Sequence, residues 1–154
     1  MFCTFFGHQN ATDEVKALLK ETIVNLIQKE GVRKFLVGNN GNFDFYVQCV
    51  LSELKNERYD ICFDIVLSHL GEKALSQNQS ETVFPEGLEK ALPRFSISKR
   101  NEWLIKNSSF LIVYVVHTFS NSYKWMQKAS KRGLKIINLA DQKRNAPLEC
   151  IEKH

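Results

Sequence analysis

The chain has 154 residues, enough for one domain with a substantial buried core. It is 44% hydrophobic and 25% charged, with a formal net charge of +4 from 21 basic and 17 acidic residues, an ordinary globular balance that argues against a disordered chain and against a basic nucleic-acid stripe. No two of Cys3, Cys49, Cys62 and Cys150 form a C-x-x-C pair, and no apolar run nears membrane-spanning length, so neither a zinc site, a disulfide framework nor a membrane span is expected, and reduced thiols fit a cytoplasmic address.

Residues 1–6 are predicted as a buried strand, without the basic n-region of a signal peptide, running into the loop Gly7-His8-Gln9-Asn10. Thr12 is a plausible N-cap with Asp13 and Glu14 in the first helical turn; Val15, Leu18, Leu19, Ile23, Leu26 and Ile27 follow helical spacing, and Gly31 suits the stop. Residues 34–37 read as the second strand. It breaks at Gly38 into a loop of glycine and asparagine, after which Phe43, Val47, Val50, Leu51 and Leu54 mark a helix. Residues 61–67 are nearly continuous in apolar character, as a buried parallel strand is, and Cys3, Cys49 and Cys62 sit in apolar surroundings as small hydrophobes.

The polar stretch 70–92, with Pro85, reads as a long loop. A helix over 97–107, a strand over 110–116, a helix over 122–132 ended by Gly133, and a last strand over 136–139 complete the pattern. The alternation predicts an α/β, Rossmann-like fold with a mainly parallel sheet flanked by helices, one domain over 1–141 and a tail over 142–154.

Such sheets bind ligands at the C-terminal strand ends. Three loops qualify, 7–10, 38–42 and 117–122, and the segment 93–101 is placed to close over them. A strand, a tight glycine loop and a helix aim backbone N–H groups at one point, which suits an anion. Gly38 and Gly41 equally suit a plain turn, and Asp44 a plain helix-start acid. His8 and His117 each follow a strand directly. Arg94, Lys99 and Arg100 crowd one segment, where arginine offers a planar fork to phosphate. Phe119 and Tyr123 suit either base stacking or the core. Lys128, Lys131, Arg132 and Lys135 read as a solvated helix end. No Ser-His-Asp spacing, nucleophile elbow, Walker loop or H-E-x-x-H is present.

The motifs Cys-Thr-Phe-Phe-Gly-His8, Val-Gly-Asn-Asn-Gly-Asn-Phe-Asp44, Phe-Pro-Glu-Gly-Leu-Glu89 and Pro-Arg-Phe-Ser-Ile-Ser-Lys-Arg-Asn-Glu-Trp103 keep a recognisable order, completed by Tyr-Val-Val-His-Thr-Phe119 and Lys-Ile-Ile-Asn-Leu-Ala-Asp141. The whole resembles the SLOG superfamily, the Rossmann-like group of the DprA/Smf and LOG (Lonely Guy) proteins, and within it a small single-domain branch of bacterial and phage proteins. The resemblance implies a nucleotide-derived ligand at the strand ends. LOG enzymes are phosphoribohydrolases that release a base from a nucleoside monophosphate; other SLOG domains bind signalling nucleotides, including ADP-ribose derivatives, in defence against phage.

The candidate ligand-binding set is Gly7, His8, Gly38, Asn39, Gly41, Phe43, Asp44, Arg94, Ser98, Arg100, Asn101, His117, Ser120, Asn121, Ser122 and Lys124. No catalytic residue, metal or cofactor is assigned. Arg100 matches the arginine of one family catalytic motif. Ser120-Asn121-Ser122 stand where the branch has Gly-Gly-Ala or Gly-Gly-Thr, and Lys124 stands where a LOG carboxylate is expected. A kept arginine with a lost acid suggests non-catalytic binding, as a sensor or a sponge, of an ADP-ribose-type or cyclic nucleotide immune signal in phage defence or anti-defence. The alternative is a LOG-like nucleoside-monophosphate phosphoribohydrolase. Membrane and nucleic-acid partners are not expected, and a homo-oligomer is left open.

Overall fold

Short apolar runs and 3.6-period segments alternate along the chain, and the computed structural model, which describes residues 1–69 and 81–141, turns them into strands and helices in the same order. These are β1 (Phe2–Gly7), α1 (Val15–Asn25), β2 (Lys34–Val37), α2 (Gly41–Asn56), β3 (Cys62–Val66), β4 (Glu81–Val83), α3 (Ser96–Lys106), β5 (Phe110–Tyr114), α4 (Asn121–Lys131) and β6 (Lys135–Asn138). After α1 the last turn widens into a π-helix, Leu26–Glu30. Two 3₁₀ turns, Leu88–Lys90 and Pro93–Phe95, lead into α3.

The six strands form one sheet in the order β4-β3-β2-β1-β5-β6, and every pairing is parallel. β1 is central: Cys3 pairs with Phe35 on one side and Phe110 on the other. Both faces of β1 are therefore covered. Cys3 and Phe5 join a core with Leu19, Ile23, Phe35, Phe43 and Leu51; Phe6 joins another with Leu36, Leu104, Val113 and Ala129. Burying each large apolar side chain contributes about 1.5–3 kcal/mol. Thr4, fully buried among them, donates its hydroxyl to Leu36 O at 2.9 Å, which removes the penalty of a dry polar group. Burial pushes the Cys3 thiol far up from its ordinary range, so it packs and does not react.

Three expectations are corrected. The stretch 70–92, read as a long loop, contributes a sixth strand: β4 pairs with β3 through Asp64–Glu81, Ile65–Thr82 and Val66–Val83, while residues 70–80 lie outside the described part, as does the tail 142–154. The first helix begins at Val15, with Asp13 and Glu14 ahead of its first turn; Thr12 accepts the Val15 N–H on its carbonyl at 3.3 Å. Cys62, read as a small hydrophobe in apolar surroundings, is exposed at the start of β3. No helix among the described residues is long and apolar enough to cross a membrane.

Candidate functional site

The chain steps from β1 to β2 on one side of the sheet and later places β5 on the other. Connections leave in opposite directions at that switch point and open a crevice at the carboxyl ends of the strands. A cleft of about 540 Å³ lies there. Its floor is Phe5 and Phe6, its walls the loop Gly7, His8, Gln9 and Asn10, the turn Gly38, Asn40 and Asp44, the α3 residues Ile97, Ser98, Arg100, Asn101 and Leu104, and the α4 side from Ser120, Asn121 and Ser122 through Lys124, Trp125 and Lys128.

The β2–α2 turn is shaped by what presses on its glycines. A methyl group at Gly38 would lie 2.7 Å from Asp44 Oδ2 and 3.3 Å from Arg100 Cζ. Glycine thus lets a carboxylate and a guanidinium rest against the backbone. Gly41 has φ +79°, and a methyl there would lie 2.7 Å from Gln9 Cα, so the β1–α1 and β2–α2 loops are pressed together. Asn42 N–H donates to Gln9 O at 2.8 Å and Asn42 Nδ2 to Ala11 O at 3.3 Å. Asp44, in the first turn of α2, accepts the Asn40 N–H on Oδ2 at 2.9 Å, the favourable place for a negative charge. Asn39 is buried and accepts from Gln48 Nε2 at 3.2 Å, while Gln48 also donates to Gly38 O at 3.1 Å. Asn40 Nδ2 is buried with no hydrogen-bond partner among the described residues, although Asn40 lines the cleft. Such a donor costs about 1–3 kcal/mol until an acceptor reaches it.

From α3 the buried Arg100 side chain reaches the Gly38 turn and donates from Nη2 and Nε to Asn101 Oδ1 at 3.0 and 3.3 Å. Ser120 caps α4: its hydroxyl accepts the Tyr123 N–H at 3.2 Å and donates to His117 O at 2.9 Å. Arg100, Lys124 and Lys128 thus line the cleft, and Asp44 is the single lining carboxylate among the described residues. At its edge, His8 Nε2 accepts the Val116 N–H at 3.1 Å, which puts the ring proton on Nδ1. Burial, and then the neighbouring His117, hold His8 below the ordinary histidine range. The His117 ring lies 5.8 Å from His8 and stacks at 5.1 Å on Phe119, which is 81% exposed.

The cleft gathers Gly7, His8, Gly38, Asp44, Ser98, Arg100, Asn101, Ser120, Asn121, Ser122 and Lys124 from the sequence-predicted set. Others stand off its wall. Phe43 is core, its ring filling the space a side chain at Gly7 would take. Asn39 and Gly41 support the turn, Arg94 lies over Phe95 at 4.8 Å, and His117 stands behind His8. Sequence reasoning missed Gln9, Asn10, Asn40, Trp125 and Lys128. The first three belong to loops already singled out. Lys128 follows Lys124 by four residues, hence on the same helix face, a signal that was present and unused. Glu102 is exposed, pairs with Lys99 at 3.7 Å and is not among the residues lining the cleft.

No protein-family model matches the chain, and no curated protein is detectably similar to it in sequence.

Proposed function

We propose that the protein binds a phosphorylated, nucleotide-derived small molecule and holds it without cleaving it, as a SLOG-type sensor or sponge. One observation carries the reading: Lys124 and Lys128 line the cleft from α4, while Asp44, the single carboxylate among the described lining residues, lies beside the Arg100 guanidinium at Gly38. A cleft of about 540 Å³ has the size of a small-molecule site. Each charge-assisted contact to a phosphate contributes about 1.5–3 kcal/mol. Cleavage of an N-glycosidic bond builds positive charge on the sugar and needs negative charge beside it. Lys124 puts positive charge on that wall instead. The finer reading is an ADP-ribose-type or cyclic nucleotide immune signal, in phage defence or anti-defence.

The presence of Asp44 on the wall keeps one alternative, a LOG-like phosphoribohydrolase with altered catalytic groups. Two measurements separate them. Mass spectrometry of small molecules released by heating the purified protein should find an intact nucleotide derivative. Chromatography after incubation with AMP, GMP, CMP and UMP should find no free base. Base release at an ordinary enzymatic rate, abolished by Arg100→Ala, would end the binding-only reading.

A further inference from the structure

A second cavity, of about 370 Å³, lies between α3 and α4, walled by Glu102, Ile105, Trp125, Lys128, Lys131 and Arg132. Trp125 and Lys128 line this cavity and the cleft alike. The two are compartments of one groove along α4, with the indole at their junction. Lys124, Lys128 and Lys131 recur at i, i+4 and i+7, so the helix presents one basic edge along the whole groove. About 10 Å of helix axis separates the first from the last, more than a single phosphate spans.

Cations in the last turn of α4 complement its dipole and need no ligand on that ground. The dipole does not account for Trp125. Its inner side packs on Phe6 at 6.2 Å, and Lys128 Nζ lies over its ring at 4.4 Å. The ring stays only half-buried, between two cavities that are both lined by cations. In the outer cavity three cations face one carboxylate, Glu102, and that is drawn toward Lys99. Lys128 therefore covers one face of the ring, and what the groove offers a ligand is a line of cations along α4 on both sides of Trp125.

We infer that the outer cavity is a second anion subsite, and that the ligand carries two phosphates, as a dinucleotide does: one near Arg100 and Lys124, a second at Lys131 and Arg132, with Lys128, seated over Trp125, between them. This rests on the binding reading above and narrows its ligand class. The probes are AMP and the 5′-phosphorylated diadenylate pApA, titrated by calorimetry into the wild type and into Lys131→Ala/Arg132→Ala, whose positions are exposed. The wild type should bind pApA at least tenfold more tightly than AMP. The double variant should lose about tenfold for pApA, near 1.4 kcal/mol, and stay within twofold for AMP. Equal affinity of the wild type for the two probes, or a double variant that loses both equally or neither, overturns the second subsite and leaves the binding reading standing. A wild type that binds neither probe removes the subsite together with that reading.

Discussion

Replacing Gly38 with alanine probes the packing on which the cleft depends. The added methyl would stand 2.7 Å from Asp44 Oδ2 and 3.3 Å from Arg100 Cζ, inside the 3.4–4 Å of ordinary contact. Neither neighbour can yield cheaply. Asp44 is a short side chain, 7% exposed, tied to the Asn40 N–H at 2.9 Å. Arg100 is 3% exposed and bonded to Asn101 through two nitrogens. Gly38 is not among the residues at positive φ, so the cost is steric and not a backbone penalty. Overpacking costs about 1–3 kcal/mol, and weakening the Asp44 bond adds about 1 kcal/mol, for a total of about 2–4 kcal/mol. For a chain of this length that lowers Tm by about 4–16 °C. Calorimetric melts of wild type, Gly38→Ala, Asp44→Ala and the double variant provide the assay. Because Asp44→Ala removes the obstructing oxygen, the two losses should add to less than their sum. A Gly38→Ala melt within a degree of wild type, or strictly additive losses, would refute the packing argument.

Gly31 and Gly41 both lie at positive φ, 71° and 79°, but only at Gly41 would a methyl meet anything within 4 Å; Gly31→Ala should cost about 1 kcal/mol of left-handed strain and Gly41→Ala clearly more, measured by urea denaturation. Ser120→Ala removes the oxygen that accepts the Tyr123 N–H and should cost about 1 kcal/mol, or about 2–4 °C in Tm. His8 has its folded pKa below the ordinary 6.5, so the unfolded chain binds its proton more readily. Its contribution to stability is complete above pH 6.5 and is lost as pH falls from there through the folded value; denaturation midpoints at pH 7.5 and 5.5 should therefore differ more in wild type than in His8→Phe. A titration of the His8 ring by NMR with a midpoint above that of a free histidine would contradict the assignment.

Some of this was legible in the sequence. Each of the five longer strands carries at least two adjacent apolar residues, and β1 reads Phe-Cys-Thr-Phe-Phe-Gly because both its faces are buried. β4 is three residues, Glu-Thr-Val, within a polar stretch; it owes its place to pairing with β3 at the sheet edge and has no pattern of its own to be read. The cleft residues followed from topology, since the loops after β1, β2 and β5 must converge at a switch point. Which members of a loop face the cleft did not follow. Asn39 and Asn40 are adjacent and identical in type, yet one is bound by Gln48 from α2 and the other lines the cleft with an amide left over. That choice is made by a side chain nine residues downstream in the chain, which spacing within the loop does not encode.

The bonds between the two loops decide how the cleft meets a ligand. Asn42 N–H reaches Gln9 O, Asn42 Nδ2 reaches Ala11 O, and Ala11 N–H closes back on His8 O at 3.2 Å. Gln48 fixes Gly38 O and Asn39 from within the core, and Asp44 fixes the Asn40 N–H. The β1 and β2 ends are therefore ordered by the fold itself. A ligand that reaches them does not have to organise these loops, and that ordering cost, about 0.5–1.5 kcal/mol for each immobilised long side chain, falls mainly on the exposed Lys124 and Lys128 of the opposite wall. Under the binding proposed above, the backbone side would supply shape and α4 charge. Replacing the α4 lysines should then weaken binding without altering the form of the β2–α2 turn, whereas replacing Gly38 should disturb both.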